Sequence, residues 1–179
     1  MVDQRNPFLV KIIYNTVVLV LVVFPFLATL LAILLLWEHA VDWLDLALLA
    51  IMYTLTAFGV TIGFHRMATH RSFQPHPVVK FVLLVLGTMA FQSPPIRWAA
   101  VHTKHHANSD REGDPHSPLQ GFFFAHMTWL FGEGMLQAPA ETYCGHLLKD
   151  RIVVFVDKTS LVWMALGLLI PFLLGGWTG

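Results

Sequence analysis

The stretch LALLAIMYTLTAFGVTIGF at residues 46–64 carries no charged side chain and runs directly into HRMATH at 65–70. As a helix it is just long enough to cross about 30 Å of hydrocarbon. It therefore delivers His65 and His70 to the rim of a bilayer. Downstream, HTKHH at 102–106 adds His102, His105 and His106. Eight of the ten histidines fall between His65 and His126. A helical membrane protein with imidazoles gathered at one face is the reading that joins these facts.

Working outward from that span, Ile12–Trp37 is also uncharged and long enough to cross with some tilt. Pro25 predicts a kink in it. The acidic stretch Glu38, Asp42 and Asp45 separates the two, which together read as a transmembrane hairpin. Phe81–Phe91 is too short to span. Headed by Lys80 and closed by Gln92 and Pro94-Pro95, it predicts an interfacial or buried re-entrant helix over about 78–93. If it crossed, the two histidine boxes would face opposite sides of the membrane. Residues 113–121 read as a turn-rich loop, and 121–131 as a short interfacial helix carrying Trp129. Residues 159–177 predict a third span, weakened at its far end by Pro171 and Gly175-Gly176. The expected fold is all-α: one domain over 1–179, with spans at about 12–37, 46–64 and 159–177. A histidine-rich helical cap, residues 65–126, lies at the cytoplasmic face. Lys and Arg cluster before the first span and between the second and third, and are missing from the loop between the first two. The positive-inside rule then places the N-terminus and the histidine boxes in the cytoplasm.

Composition narrows the function. The 179-residue chain is 56% hydrophobic and 12% charged, with zero formal net charge. That balance argues against a nucleic-acid partner, which needs a basic excess. A single cysteine, Cys144, excludes an internal disulfide and multi-cysteine metal sites. The first apolar stretch is far longer than the core of a signal peptide.

Imidazole suits iron, zinc, copper and nickel. On a helix, His102, His105 and His106 (i, i+3, i+4) share one side, with His105 and His106 flanking His102, so one helix can serve two ions. His65 and His70, five apart, do not superpose on a regular helix. The second span is therefore expected to end or loosen between them. His39, His76 and His146 read as hydrogen-bonded polar residues, and His116 and His126 as either orienting partners or plain structure. The zinc-protease motif HExxH, the carboxylate-bridged ExxH motif and the GxSxG elbow are all missing.

Taken together, HRMATHRSF at 65–73, MAFQ at 89–92, WAAVHTKHHANSDREGDPHSP at 98–118 and GFFFAHMTWL at 121–130 resemble the membrane fatty acid desaturases, specifically their acyl-CoA branch. The resemblance implies a centre of two iron ions. His65, His70, His102 and His106 would hold one, and His105 would contribute to the other. It also implies that Gln92, Trp98 and Leu130 line the acyl tunnel. Asp110 and Asp114 are candidates for orienting histidine N–H groups, with turn capping as the competing role. Two departures stand out. The family's third histidine box does not occur in these 179 residues, so the second iron site is incomplete and the chain reads as a C-terminally truncated fragment. Ala100 and Val101 stand where animal members carry Arg-Asp, which leaves the acyl carrier open between coenzyme A, another thioester and a whole lipid.

The implied reaction is O₂-dependent removal of two hydrogens from adjacent methylenes of a fatty acyl chain. Such carbons lack acidity, so a metal must supply the chemistry. A narrow apolar tunnel walled by Phe91, Trp98 and Phe122–Phe124 would select the position by holding one carbon pair at the metals. No flavin, haem or iron–sulfur motif is present, so electrons come from an external donor protein. A lipid hydroxylase or ketolase on the same scaffold is the sibling reading. A histidine-rich metal transporter is the reading from another class, but the spans lack the ionisable residues it needs. A fragment that folds yet holds little iron is the third.

Overall fold

The computed structural model describes residues 7–36, 42–131 and 138–176. Every regular element among the described residues is helical. Asp42 starts the central helix with a reciprocal cap: its carboxylate accepts from Asp45 N–H at 2.9 Å, and Asp45 answers toward Asp42 N–H at 3.4 Å. The helix α3 (Trp43–Phe58) then passes without a break into a π-helix, Gly59–Thr69. The combined Trp43–Thr69 helix, 27 residues, is long and apolar enough to cross a membrane. It exceeds the expected span of 46–64 at both ends. The Asp42 cap extends its start. Its end bears out the expectation that the helix ends or loosens between the first two box histidines: it widens to i→i+5 bonding through His65 and stops at Thr69, one residue before His70.

The remaining elements surround that helix. Before it come α1 (Pro7–Val18), a π-helical turn (Leu19–Val23) and α2 (Phe24–Leu36). They carry the expected first span in helical form up to Leu36, while Trp37 lies outside the described residues. The π-turn sits just ahead of Pro25, where the backbone lacks an N–H. After it come α4 (Pro77–Met89), α5 (Pro95–Asn108), the short α6 (Phe122–His126) and α7 (Ala140–Tyr143), then α8 (Arg151–Lys158) and α9 (Ser160–Gly175). The pair α8 and α9 is bent by 63° at a short break, and together they pass as one broken span or a re-entrant loop. The described residues thus hold one helix fit to cross, or two with that pair counted. The expected short helix over 121–131 is two pieces, α6 and a 3₁₀ turn at Thr128–Phe131. The expected third span begins as α9, and Trp177 lies outside the described residues. Leu34 (72% exposed), Trp43 (86%) and Leu161 (80%) turn apolar side chains outward, a surface that suits lipid.

Helix α4 is too short to cross. Pro77 at its first turn and His76, whose Nδ1 accepts from Val78 N–H, set its start. Its Leu84, Gly87, Thr88 and Met89 are buried against the central helix, α8 and α9. Glycines allow the crossing. A Cβ on Gly59 would stand 2.0 Å from Gly87 N, and one on Gly63 would stand 2.8 Å from Leu83 O. Backbone meets backbone there, as in close-packed membrane helices. Phe64 and Leu84, both fully buried, anchor the core with Ala99, Ala100, Val153 and Val156. This core lies directly beneath both histidine boxes.

Candidate metal centre

The π-helix explains the first box. Its i→i+5 bonding, with His70 N–H donating to His65 O at 2.9 Å, places residues five apart nearly one above the other. The His65 and His70 rings meet edge to face at 4.5 Å between centroids. The second box uses the ordinary α period: on α5, His102 and His106 lie 4.5 Å apart in the same manner. The two helices bring the boxes together. Nε2 of His102 is 3.3 Å from Nε2 of His70 and 3.0 Å from Nε2 of His106, and the His65 ring sits 4.7 Å from that of His102.

One ligand nitrogen from each of His65, His70, His102 and His106 lies within 4.8 Å of the other three. Metal–imidazole bonds of about 2.1 Å put opposed ligands about 4.2 Å apart, so modest adjustment closes the four around one ion. The donor set fits iron as well as zinc or copper. Burial first, and then the neighbouring His106, His65, His70 and His105, push the His102 imidazole down to about 3. Burial and the adjacent His70 and His105 lower His106 as well. Neutral imidazole is the form that ligates.

His105 faces away from that cluster toward Asp114 and His116. Asp114 is fully buried at its side chain, and its Oδ1 accepts from His105 Nδ1 at 2.9 Å. Burial would raise this carboxyl, but the bonds from His105 and the backbone N–H groups of His116 and Asp110 hold it below its ordinary value. An ionised carboxylate only accepts, so His105 carries its proton on Nδ1 and leaves Nε2 free. Asp110 itself is exposed, and its contact is its backbone N–H to Asp114 Oδ2 at 3.0 Å. His105, Asp114 and His116 form a second group with the spacing of a metal site. The short Nδ1–Oδ1 bond and the stacked His105–His116 rings, 4.1 Å apart, instead favour orientation of His105. His116 was undecided in the sequence. Its place after Asp114-Pro115, in the turn that follows the second box, was the only signal. His126 bonds to Phe122 O and stacks on Phe122, within its own helix.

Beside the cluster lies a cavity of about 360 Å³ lined by Phe91, Gln92, Ser93, Trp98, Val101, His102, His116, Trp129 and Leu130. That is within the usual range for a small-molecule site. Gln92, Trp98 and Leu130, which the resemblance singled out, all line it. Trp98 Nε1–H donates to Gln92 Oε1 at 3.2 Å, and its ring stacks on His102 at 4.7 Å. The i, i+4 spacing of Trp98 and His102 was the missed signal for that contact. Phe91 (φ 60°) and Ser93 (φ 130°) hold the loop in a strained form that L-residues rarely adopt. Phe122 and Phe123, expected as wall material, are 70% and 75% exposed. A larger, more polar cavity of about 690 Å³ adjoins His70 on another side, lined by Arg71, Gln74, Lys80, His146 and Asp150 among others. The smaller, more apolar cavity is the one suited to a hydrocarbon chain.

Residues 41–179 match the family described as fatty acid desaturase. The chain is 36% identical over 86% of its length to a hex-5-enoyl-[acyl-carrier protein] acetylenase of Moorena producens, covering 51% of that protein. It is 36% identical over 76% of its length to an sn-1 stearoyl-lipid 9-desaturase of Anabaena variabilis, again covering 51%. An acyl-CoA 5-desaturase of Anemone leveillei is 34% identical over 75% of this chain, with 41% of that protein covered. The chain spans about half the length of the curated relatives it matches.

Proposed function

The chain belongs to the fatty acid desaturase family of membrane-bound oxidoreductases, and on that premise we propose that it forms the metal-binding and acyl-binding part of an O₂-dependent acyl desaturase. The observation that carries the reading is the meeting of four imidazoles from two helices beside an apolar cavity. His65, His70, His102 and His106 hold one iron, and His105, oriented by Asp114, is a ligand of a second iron. Iron, when bound, supplies the activation of O₂ and the removal of hydrogen from unactivated methylenes.

The chain's own residues do the rest. Val101, Trp129 and Leu130 exclude water from the cavity and favour a hydrocarbon chain. The Gln92–Trp98 bond braces the wall that stacks on His102. That contact positions one pair of carbons at the cluster, and position along the chain is what distinguishes chemically alike methylenes. Asp114 fixes the tautomer of His105. The relatives named above act on chains carried by acyl-carrier protein, lipid or coenzyme A. Ala100 and Val101, both uncharged and buried at the head of the second box, do not select the carrier, so a coenzyme A thioester, another thioester and a lipid-linked chain all fit this reading. Electrons come from an external donor protein. Three spans cross the bilayer, with the N-terminus and both boxes on the cytoplasmic side.

Mass spectrometry of acyl chains from cells expressing the protein tests this. The expected product is lighter than its parent by two hydrogens. A product gaining one oxygen would indicate hydroxylation on the same scaffold instead. Unchanged lipids, together with metal-free purified protein, would contradict the reading.

A further inference from the structure

Neither histidine box is rigid by its own helix alone. The first box ends a π-helix, a form seldom sustained over more than one turn, and the last carbonyls of a helix lack intrahelical donors. The second box sits on α5, whose start is poorly capped. Pro94 offers no side-chain acceptor, and Pro95 has no N–H. Both weak points are met by one segment, residues 144–157, which contributes nothing to the histidine cluster itself.

At the first box, His146 Nε2 donates to the carbonyl of Ala68 at 3.1 Å. Ala68 is buried and lies between His65 and His70 in the chain. At the second box, the first available amide of α5, Ile96 N–H, donates to Asp157 Oδ1 of α8 at 2.9 Å. The carbonyl of the same residue accepts from Cys144 Sγ at 3.4 Å. Cys144 and Leu147, both buried, fix the turn between these contacts, and Leu147 N–H closes it onto Cys144 O at 2.8 Å. The same short turn thus grips the end of one ligand-bearing helix and the start of the other.

We infer that residues 144–157 set the separation of the two boxes, with His146 and Asp157 as positioning residues for the four-imidazole cluster. This rests on the metal-site reading above. His146 acts through the Ala68 carbonyl and Asp157 through the Ile96 amide. What each position needs is a hydrogen-bonding group of the right reach. Gln at 146 keeps a donor and Asn at 157 keeps an acceptor, while Leu removes either one at similar volume.

The test uses the whole chain in detergent and cobalt(II) as the probe, followed by its visible absorption. His146→Leu and Asp157→Leu are expected to bind cobalt about 10-fold more weakly, the low end of the range for losing a group that orients a metal ligand, because each acts through a backbone atom and not through a ligand ring. His146→Gln and Asp157→Asn are expected to stay within about 3-fold of the parent. Helical circular dichroism reports whether each variant folds. Where a Leu variant does not, His146→Asn, one methylene short, and Asp157→Ala replace it and must show the same loss. Equal binding by the Gln and Leu variants, or by the Asn and Leu variants, overturns the inference while leaving the metal site standing. Failure of the parent to bind cobalt at all overturns the metal reading, and this inference with it.

Discussion

The two histidine boxes solve one problem with different backbones. On α5 the rings of His102 and His106 align because four residues make roughly one α-turn. At the end of the Gly59–Thr69 helix, His65 and the capping residue His70 align although they are five apart, because the backbone itself has widened to i→i+5 bonding. The α5 solution is local and inexpensive. The π solution depends on neighbours: Gly59 and Gly63 let α4 approach backbone to backbone, and Thr69 Oγ1 donates to Phe64 O at 2.8 Å. The difference teaches that identical ring geometry can rest on intrinsic periodicity in one helix and on tertiary packing in the other.

The largest effect should come from removing the shared ligands. His102→Ala with His106→Ala should abolish metal binding measured by elemental analysis of purified protein. Occupancy equal to the parent would mean that the boxes do not share an ion. Next is the packing that sustains the π-helix. Gly59→Val forces a side chain where Gly87 N already stands 2.0 Å from an ideal Cβ, and should cost about 3 kcal/mol or more. The counterpart on α5, Ala107→Val at an exposed position, should stay within about 0.5 kcal/mol. Denaturant titration of both tests the asymmetry directly, and similar costs would break it.

A smaller effect follows from pH. His102 lies well below its ordinary 6.5 when folded, at about 3. The unfolded chain therefore binds a proton there first, and metal-free stability declines as pH falls from about 6.5 toward 3. The thermal midpoint should drop between pH 7 and pH 5, and His102→Gln should flatten that slope. An unchanged slope in the variant would remove His102 as its source. The smallest effect is expected outside the site. Lys80 and Asp150 form an ion pair at 2.6 Å with both side chains 27% exposed. Asp150→Asn keeps the α8 cap and loses only the pair, for less than about 1 kcal/mol. Asp150→Ala also loses the bonds to Ile152 and Val153 N–H, for about 1 kcal/mol more.

The comparison also explains what the sequence made legible. The second box and the apolar run 46–64 could be read from spacing, because α-periodicity and hydropathy are local properties, while Gln92, Trp98 and Leu130, which line one cavity, are singled out by resemblance alone. The π-helix could not. Its five-residue spacing points only to a helix that ends or loosens, since the contacts that sustain the widened form belong to α4, where Gly59 meets Gly87 and Gly63 meets Leu83. The supporting roles of His146 and Asp157 were equally hidden, because their partners are backbone atoms 78 and 61 residues away. The role of His116 is hidden for the same reason: its ring contact with His105 depends on how the loop after α5 folds back.

The central claim is that imidazoles from both boxes surround one ion. X-ray absorption at the cobalt edge, on the cobalt-loaded protein and on His70→Ala and His106→Ala, tests it most directly. The account predicts scattering from four imidazoles in the parent, and a loss of one in each variant although the two residues sit on different helices. A signal that only the second-box variant changes would contradict it.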